Sequence, residues 1–358
     1  YVYQAKWADA KAILTTVINS GKTTNGKKYG LVPKFAEIFN AENDNNEEAI
    51  FAMQSSMNTG STNNANGFDD LNYPYNTGSD GPGNCCGFFQ PTFSMANAYR
   101  TVGGLPILSE QGDGTPDYNL AANAVKHDYG KNTTDAFTED TDPLDPRIDH
   151  TIGRRGIQYL DWIEHPGANW IRSQVYAGPY SPKKYVYYKR QENSLTDGSG
   201  WTRGYATMNF NIIRFADVLL LAAEAEIEAG SLTTALGYIN QIRKRAANAD
   251  GFVTKGGKPE ANYVINLYTA FADKAEATKA LRMERLLELA TEGHRFFDLV
   301  RWGIASKTLN AYLKHESKFL VTKFGGSKYT AGKDEYLPIP QAQIDIQGAA
   351  VLKQNPGY

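Results

Sequence analysis

Residues 284–303, with the sequence ERLLELATEGHRFFDLVRWG, say more about the fold than any other segment of this chain. Apolar residues recur at helical spacing from about Ala275 to Thr291, which predicts an amphipathic helix. The leucines of this pattern are Leu281, Leu286, Leu287 and Leu289. Gly293 follows as a helix stop, and a short aromatic segment then ends at Trp302.

The charges of this segment allow two interpretations. Glu284, Glu288 and Glu292 lie on one helix face at i, i+4 spacing, an arrangement that acid–base catalysis could use. The remaining charged or titratable positions are His294, Arg295, Asp298 and Arg301. Alternating acids and bases in an aromatic setting more often form ion pairs between helices. His294 has no HExxH context, so metal-dependent hydrolysis is unsupported, and we assign these residues to the architecture.

Further helices are predicted on both sides of this segment. One runs from Asn211 to Glu228 and closes at Gly230, and Ser231 starts the next, giving an antiparallel pair of the tetratricopeptide type. A second pair is expected from residues 4–20 and 29–39. Two pairs are too few to bury their faces, so we expect more repeats upstream.

The chain divides into four segments that we expect to form one domain. Residues 1–54 are a helical pair with its connection, and 209–303 are a helical pair with the signature helix. Residues 55–208 are rich in Asn, Gly, Asp, Pro, Tyr and Ser and form a loop-rich ligand-binding region. Residues 304–358 are an extended, proline-punctuated tail. The predicted fold class is therefore mainly α, with a long irregular region.

Composition excludes several partners. The 358 residues are 41% apolar and 21% charged, with a net charge of −2, as in a globular protein. No Lys or Arg run is long enough to neutralise several phosphates, so nucleic acid and anionic lipid are poor candidates. No apolar stretch reaches the roughly 18 to 20 residues that span a bilayer, and the chain opens without a signal peptide. We therefore expect a mature or truncated product.

Several phrases together carry a family resemblance. They are NIIRFADVLL at 211–220, the segment 284–303, YLPIP at 336–340, NPGY at 355–358, LDPR at 144–147, GRRG at 153–156 and GFFQPT at 87–92. In this combination the chain resembles the carboxyl-terminal two-thirds of a SusD/RagB protein. The resemblance implies a SusD-like fold with tetratricopeptide-type helical pairs.

The same resemblance implies a function and a location. Members are non-enzymatic lipoproteins on the extracellular face of the outer membrane, where they cap a SusC-like TonB-dependent transporter and deliver glycans or, in some members, peptides to it. The family's lipid-anchored amino-terminal portion lies outside this chain, so the anchor is inferred. The resemblance implies no cofactor, no metal and no catalytic residue.

The central region contains two patterns with structural explanations. Asp140, Asp142, Asp145 and Asp149 supply the oxygen atoms that calcium prefers, but the glycine and terminal glutamate of the twelve-residue loop are missing. Pro143 and Pro146 favour turns there. The tryptophans Trp162, Trp170 and Trp201 lie among Gly and Pro, and we expect them to pack rather than to contact ligand.

One loop differs from the rest of the central region because its aromatic residues stand in a sequence unsuited to helix or buried strand. Exposed rings pack on the C–H faces of sugars, and Asn or Asp side chains satisfy the hydroxyls. The predicted ligand-binding residues are Asn72, Tyr73, Tyr75, Asp80, Asn84, Cys85, Cys86, Phe88 and Phe89. The alternative is that Phe88 and Phe89 anchor the loop in the core.

The only cysteines, Cys85 and Cys86, are adjacent. Trans neighbours lie about 3.8 Å apart at Cα, below the usual disulfide range of about 4.4 to 6.8 Å, so a bond between them requires a twisted backbone. A cell-surface location permits oxidation. The hypotheses are a vicinal disulfide that stiffens the loop and two free buried thiols, which the mass of the unreduced protein distinguishes.

The functional prediction is capture of an oligo- or polysaccharide and its handover to the transporter. A shallow aromatic surface should bind with about 4 to 6 kcal/mol, or roughly millimolar to tens of micromolar. A peptide ligand is the alternative within the family. From other classes, a glycoside hydrolase requires a carboxylate pair about 5 to 9.5 Å apart in a cleft, and a protein-interaction scaffold requires a helical groove.

Overall fold

The computed structural model describes residues 1–60, 65, 69–83, 85–198 and 204–358. The described chain is mainly helical, as predicted. The helices are α1 (Trp7–Ser20), α2 (Asp69–Asn72), α3 (Phe93–Ala98), α4 (Ile148–Thr151), α5 (Gln174–Ala177), α6 (Phe215–Ala229), α7 (Leu232–Ala246), α8 (Lys274–Glu288), α9 (Arg295–Arg301), α10 (Ala305–Glu316), α11 (Val321–Phe324) and α12 (Gln341–Gln347).

The strands are short and form antiparallel two-stranded pairs. They are β1 (Ala49–Met53), β2 (Thr101–Val102), β3 (Leu105–Pro106), β4 (Ile152–Gly153), β5 (Ser181–Pro182), β6 (Thr196–Asp197), β7 (Tyr205–Ala206), β8 (Phe210–Arg214), β9 (Thr254–Lys255) and β10 (Lys258–Pro259). The pairs are β1 with β8, β2 with β3, β4 with β5, β6 with β7, and β9 with β10.

Helices α6 and α7 are consecutive and pack against each other. The Ser231 hydroxyl accepts a hydrogen bond from the Thr234 N–H at 3.3 Å, so Ser231 caps α7 as the sequence indicates. The apolar faces of α6, α7 and α8 meet in one buried cluster. Its fully buried members include Leu219, Leu220, Ala223, Ile239 and Ile242. Burial of this shared face, rather than helix propensity alone, stabilises the helices.

The predicted pairing of residues 4–20 with 29–39 is wrong. Residues Phe35–Phe39 form only a short 3₁₀ turn, whose apolar side chains enter a different core cluster, together with Trp162 and Tyr187. Helix α1 packs on α6 instead, where the Lys11 ammonium lies 3.0 Å from the Glu226 carboxylate. Local spacing identified a helix but did not specify its partner.

Two other boundaries differ from the sequence prediction. Residues Phe210–Arg214 form strand β8, paired with β1, because the β-branched Ile212 and Ile213 suit an extended backbone. The segment 304–358 is not simply extended, since it contains α10, α11 and α12. Helix α10 is held in place because the Glu316 carboxylate accepts the Ser94 N–H at 2.7 Å, and Phe319, which follows it, stacks on Phe93 at 4.3 Å.

A buried charge network joins the helical and central regions, as the ion-pair interpretation predicts. Its carboxylates are Glu48, Asp145, Glu284, Glu288 and Glu292, and its cations are Arg147, Lys184, Arg214, Arg243 and Arg245. Glu288 alone contacts Arg214 at 2.6 Å, Arg147 at 3.1 Å, and Arg245. The three glutamates of the signature segment therefore hold distant parts of the chain together.

The network also determines the protonation of its members. Burial acts to raise the pKa of Glu288, but the guanidinium groups of Arg245, Arg214 and Arg147 outweigh it and hold that pKa well below its ordinary value. Burial lowers the pKa of Lys184 to about 8, despite the neighbouring Glu292. Glu288 is therefore ionised at neutral pH and paired with three guanidinium groups, which suits a structural role.

Candidate functional site

The predicted loop is anchored from below by Tyr73. Its side chain is fully buried, its hydroxyl donates to the Gly204 carbonyl at 2.9 Å, and its ring meets Tyr187 edge to face at 5.4 Å. The Tyr187 hydroxyl in turn accepts the Gly83 N–H at 2.8 Å. The expectation that the Tyr73 ring is exposed is wrong, because the core cluster beneath the loop encloses it.

Three other aromatic rings of the loop are exposed. Tyr75 and Phe88 are 39% and 43% exposed, and Phe89 is 62% exposed. The Arg172 guanidinium lies over two of them, with its central carbon 5.6 Å from the Tyr75 ring centroid and 4.8 Å from that of Phe88. We call Tyr75, Phe88, Phe89 and Arg172 the platform.

Backbone hydrogen bonds hold the platform together. The Tyr75 N–H donates to the Trp170 carbonyl at 2.9 Å, which ties the loop to the segment that carries Arg172. The Phe88 N–H donates to the Leu71 carbonyl at 2.9 Å. Nη1 of Arg172 donates to the Cys86 carbonyl at 3.1 Å. These bonds fix the backbone of the segments that carry Tyr75, Phe88 and Arg172.

The other predicted site residues have different environments. The Asn72 amide donates to the Lys184 carbonyl at 2.6 Å and so supports the loop. Asp80 is exposed, whereas Asn84 lies outside the residues that the structure describes. Cys85 and Cys86 are paired in a disulfide, in line with the vicinal-disulfide hypothesis, and Cys86 is buried.

Gly87 lets the two halves of the platform approach. Its φ of +70° favours glycine, and an added Cβ would lie 2.9 Å from the Cβ of Tyr75 and 3.0 Å from that of Arg172. Both neighbours would have to move apart. Glycine at this position therefore determines how closely the Tyr75 ring and the Arg172 guanidinium can pack.

We expect Gly87→Ala to destabilise the protein more than Gly130→Ala, by about 1 to 3 kcal/mol, because overpacking adds to the left-handed backbone cost. Gly130 is a matched control, since its φ is +79° and no described atom lies within 4 Å of an added Cβ. Urea denaturation of both variants measures the difference. Equal free energies of unfolding would show that the close approach at Gly87 is unimportant.

The acidic stretch of the central region forms turns, as the sequence predicts, and its aspartates also pair with arginines. Oδ1 of Asp140 accepts the Asp142 N–H at 2.9 Å, and Oδ1 of Asp145 accepts the Arg147 N–H at 3.0 Å. Asp140 pairs with Arg100 at 2.6 Å, Asp145 with Arg147 at 2.7 Å, and Asp149 with Arg154 at 2.8 Å, all with buried side chains. Within the described residues, no group of His, Cys, Asp or Glu is arranged to hold a metal ion. These three aspartates belong to the structural core.

The tryptophan predictions are confirmed where they can be judged. Trp162 and Trp170 are buried in the cluster beneath the loop, and the Trp162 indole N–H donates to the Tyr187 carbonyl at 3.1 Å. Trp201 lies outside the described residues. Trp162 and Trp170 therefore pack beneath the loop and support it.

Sequence reasoning missed Arg172. It lies 86 positions from Cys86, to which it donates, and no periodic pattern links such distant segments. The neighbouring Val175 and Tyr176 are also exposed, at 62% and 53%.

Comparisons with known proteins identify the family of the chain. The SusD family model matches residues 47–358. The chain belongs to the SusD family. Among curated relatives, SusD-like protein P25 of Formosa agariphila is 25% identical over 280 residues, which cover 77% of this chain and 44% of that protein. The chain thus spans less than half of that SusD-family relative.

Solved structures share the SusD fold. A SusD superfamily protein from Bacteroides vulgatus matches with a TM-score of 0.60 and 23% identity, over 100% of this chain and 60% of that one. A laminarin-binding SusD-like protein matches with a TM-score of 0.56 and 22% identity, over the same shares. At these identities the likeness establishes the fold. No helix in the described ranges has the length and apolar character needed to cross a bilayer.

Proposed function

We propose that this SusD-family chain captures a glycan on the platform without cleaving it. The observation that carries the proposal is the set of three exposed rings, Tyr75, Phe88 and Phe89, held on one loop over a buried aromatic base. Flat aromatic surfaces pack on the C–H faces of pyranoses, and exposed side chains such as Asp80 accept hydrogen bonds from hydroxyls. The name of the laminarin-binding relative supports the same ligand class.

A binding role fits the charges better than hydrolysis does. A glycosidase needs one protonated and one ionised carboxyl group flanking a cleft. The carboxylates of the signature segment, Glu284, Glu288 and Glu292, are instead buried and paired with arginines or lysine. The exposed platform provides contact area but not an acid–base pair.

Handover to a transporter completes the proposed role. By resemblance to its family, the protein would act at the extracellular face of the outer membrane beside a SusC-like TonB-dependent transporter. A shallow, open surface suits this task because it binds weakly, with about 4 to 6 kcal/mol, and releases its ligand readily. Nanomolar binding to one monosaccharide would contradict this part of the proposal.

A binding screen against polysaccharides and peptides tests the proposal. We expect a glycan to bind, and Phe88→Ala and Phe89→Ala each to weaken binding about ten-fold, since each removes ring contact with the sugar. Isothermal titration calorimetry measures the affinities, and product analysis checks for cleavage.

Phe297→Ala is the matched control for these variants. Phe297 is 58% exposed, close to the value for Phe89, but lies on α9 and outside the platform. It should leave glycan affinity unchanged. Hydrolysis of the glycan, binding of peptides alone, or equal losses in all three variants would overturn the proposed platform function.

A further inference from the structure

The platform carries a cation, Arg172, that forms no ion pair with the part of the chain that the structure describes. Arg172 is exposed, and its recorded contacts are the Cys86 carbonyl and the rings of Tyr75 and Phe88. No described carboxylate lies within ion-pair distance of it. A guanidinium has five N–H donors, so several remain available to a ligand.

Most arginines elsewhere in the described chain are used differently. Nine of them form ion pairs with carboxylates, namely Arg100, Arg147, Arg154, Arg190, Arg214, Arg243, Arg245, Arg285 and Arg301. Arg172 is instead fixed between two exposed rings by a neutral carbonyl. These neighbours hold the guanidinium in place, and its positive charge remains available to a ligand at the surface.

A second cation–aromatic pair lies near it along the chain. The Lys323 ammonium lies 5.1 Å from the ring centroid of Tyr176, which is exposed on α5. Tyr176 follows Arg172 by four residues, a span of at most about 14 Å between Cα atoms. Among the described residues, Lys323 forms no ion pair. Lys323 and Tyr176 thus add another positive charge and another exposed ring close to Arg172.

We propose that the platform selects an anionic glycan, in which sugar units carry carboxylate or sulfate groups, with Arg172 as the residue that recognises the oxyanion. This inference rests on the proposed function and names its ligand class. The rings contact the sugar face while the guanidinium donates charge-assisted hydrogen bonds to the anionic substituent, for which its planar fork is suited.

The test compares three probes: polygalacturonate, which carries carboxylates, carrageenan, which carries sulfates, and neutral laminarin. We expect the wild-type protein to bind one of the anionic probes more tightly than laminarin. Arg172→Gln should weaken that binding about ten-fold, as expected for loss of a charged hydrogen bond, and should reduce its salt dependence. The preferred anionic probe identifies the substituent.

Arg190→Gln is the matched control. Arg190 is exposed and also lies over a ring, 4.2 Å from the Tyr188 centroid, but it is paired with Glu42. This variant should bind all probes as the wild type does. A merely structural role for Arg172 predicts equal losses for neutral and anionic probes, with a lower melting temperature, and would overturn the inference.

The outcomes separate this inference from the proposed function. Binding of laminarin in preference to both anionic probes would overturn the inference and leave glycan capture standing. Binding of no glycan by the wild-type protein would overturn both. Anionic binding that Phe88→Ala abolishes and Arg172→Gln does not change would retain the platform but reject Arg172 as the recognition residue.

Discussion

Glu288→Gln is expected to lower the free energy of unfolding by about 3 to 5 kcal/mol. Glu288 is fully buried and contacts Arg147, Arg214 and Arg245. Its removal leaves these guanidinium groups in the interior with less compensating charge, which costs more than the lost attraction alone. Chemical denaturation of the purified variant measures the change.

Glu228→Gln is the control for this prediction. Glu228 pairs with Lys274 at 2.7 Å, but that ammonium group belongs to an exposed side chain, so the loss of stability should be below about 1 kcal/mol.

The buried network around Glu288 also determines how the stability of the protein responds to pH. Because the folded-state pKa values of Glu288 and Glu292 are depressed, their stabilisation is present above the ordinary pKa of 4.5 and is lost as the pH falls below it. A Glu288→Gln protein as stable as the wild type would contradict a structural role for the network.

Tyr73→Ala is expected to destabilise the protein by about 3 to 5 kcal/mol, the usual cost of truncating a buried aromatic side chain. The variant removes the ring that packs on Tyr187 and the hydroxyl that donates to Gly204. The Tyr73 ring also packs tightly against the loop at Gly83, where an added Cβ would overlap the ring. The variant removes this packing as well. Thermal and urea denaturation give the measurement.

Phe89→Ala distinguishes support from ligand contact. Its side chain is 62% exposed, so truncation should change the free energy of unfolding by about 0.5 kcal/mol or less while weakening ligand binding. Tyr73→Ala should show the opposite balance, with a large stability loss. If Tyr73→Ala kept the wild-type free energy of unfolding but lost ligand binding, the assignment of Tyr73 to support of the loop would be wrong.

Much of the helical architecture could be predicted from local patterns. The Ser231 cap, the stripe of Ile239 and Ile242, and the leucines of the signature segment predicted α7 and α8, because helical spacing is a property of neighbouring residues. The assignment of Glu284, Glu288 and Glu292 to ion pairs was also correct, since charges on an otherwise buried face require partners. The identity of those partners was not predictable from spacing.

The candidate site was predictable only in part. The loop was found because its turn residues and aromatics are contiguous, but the sequence did not distinguish the buried Tyr73 from the exposed Tyr75 two positions later. That difference arises from Tyr187 and Trp170, which come from other segments. Arg172 also belongs to the site through contacts with a distant segment, which local sequence patterns do not predict.

The sequence by itself determined the mainly helical class, the presence of the principal helices and the loop that carries the rings, because each follows from residues adjacent along the chain. Only the tertiary structure decided that α1 packs on α6, that Tyr73 supports the loop, and that Arg172 lies over Tyr75 and Phe88. These features depend on contacts between distant segments. Such contacts form where shape and charge match in three dimensions, which local periodicity does not encode.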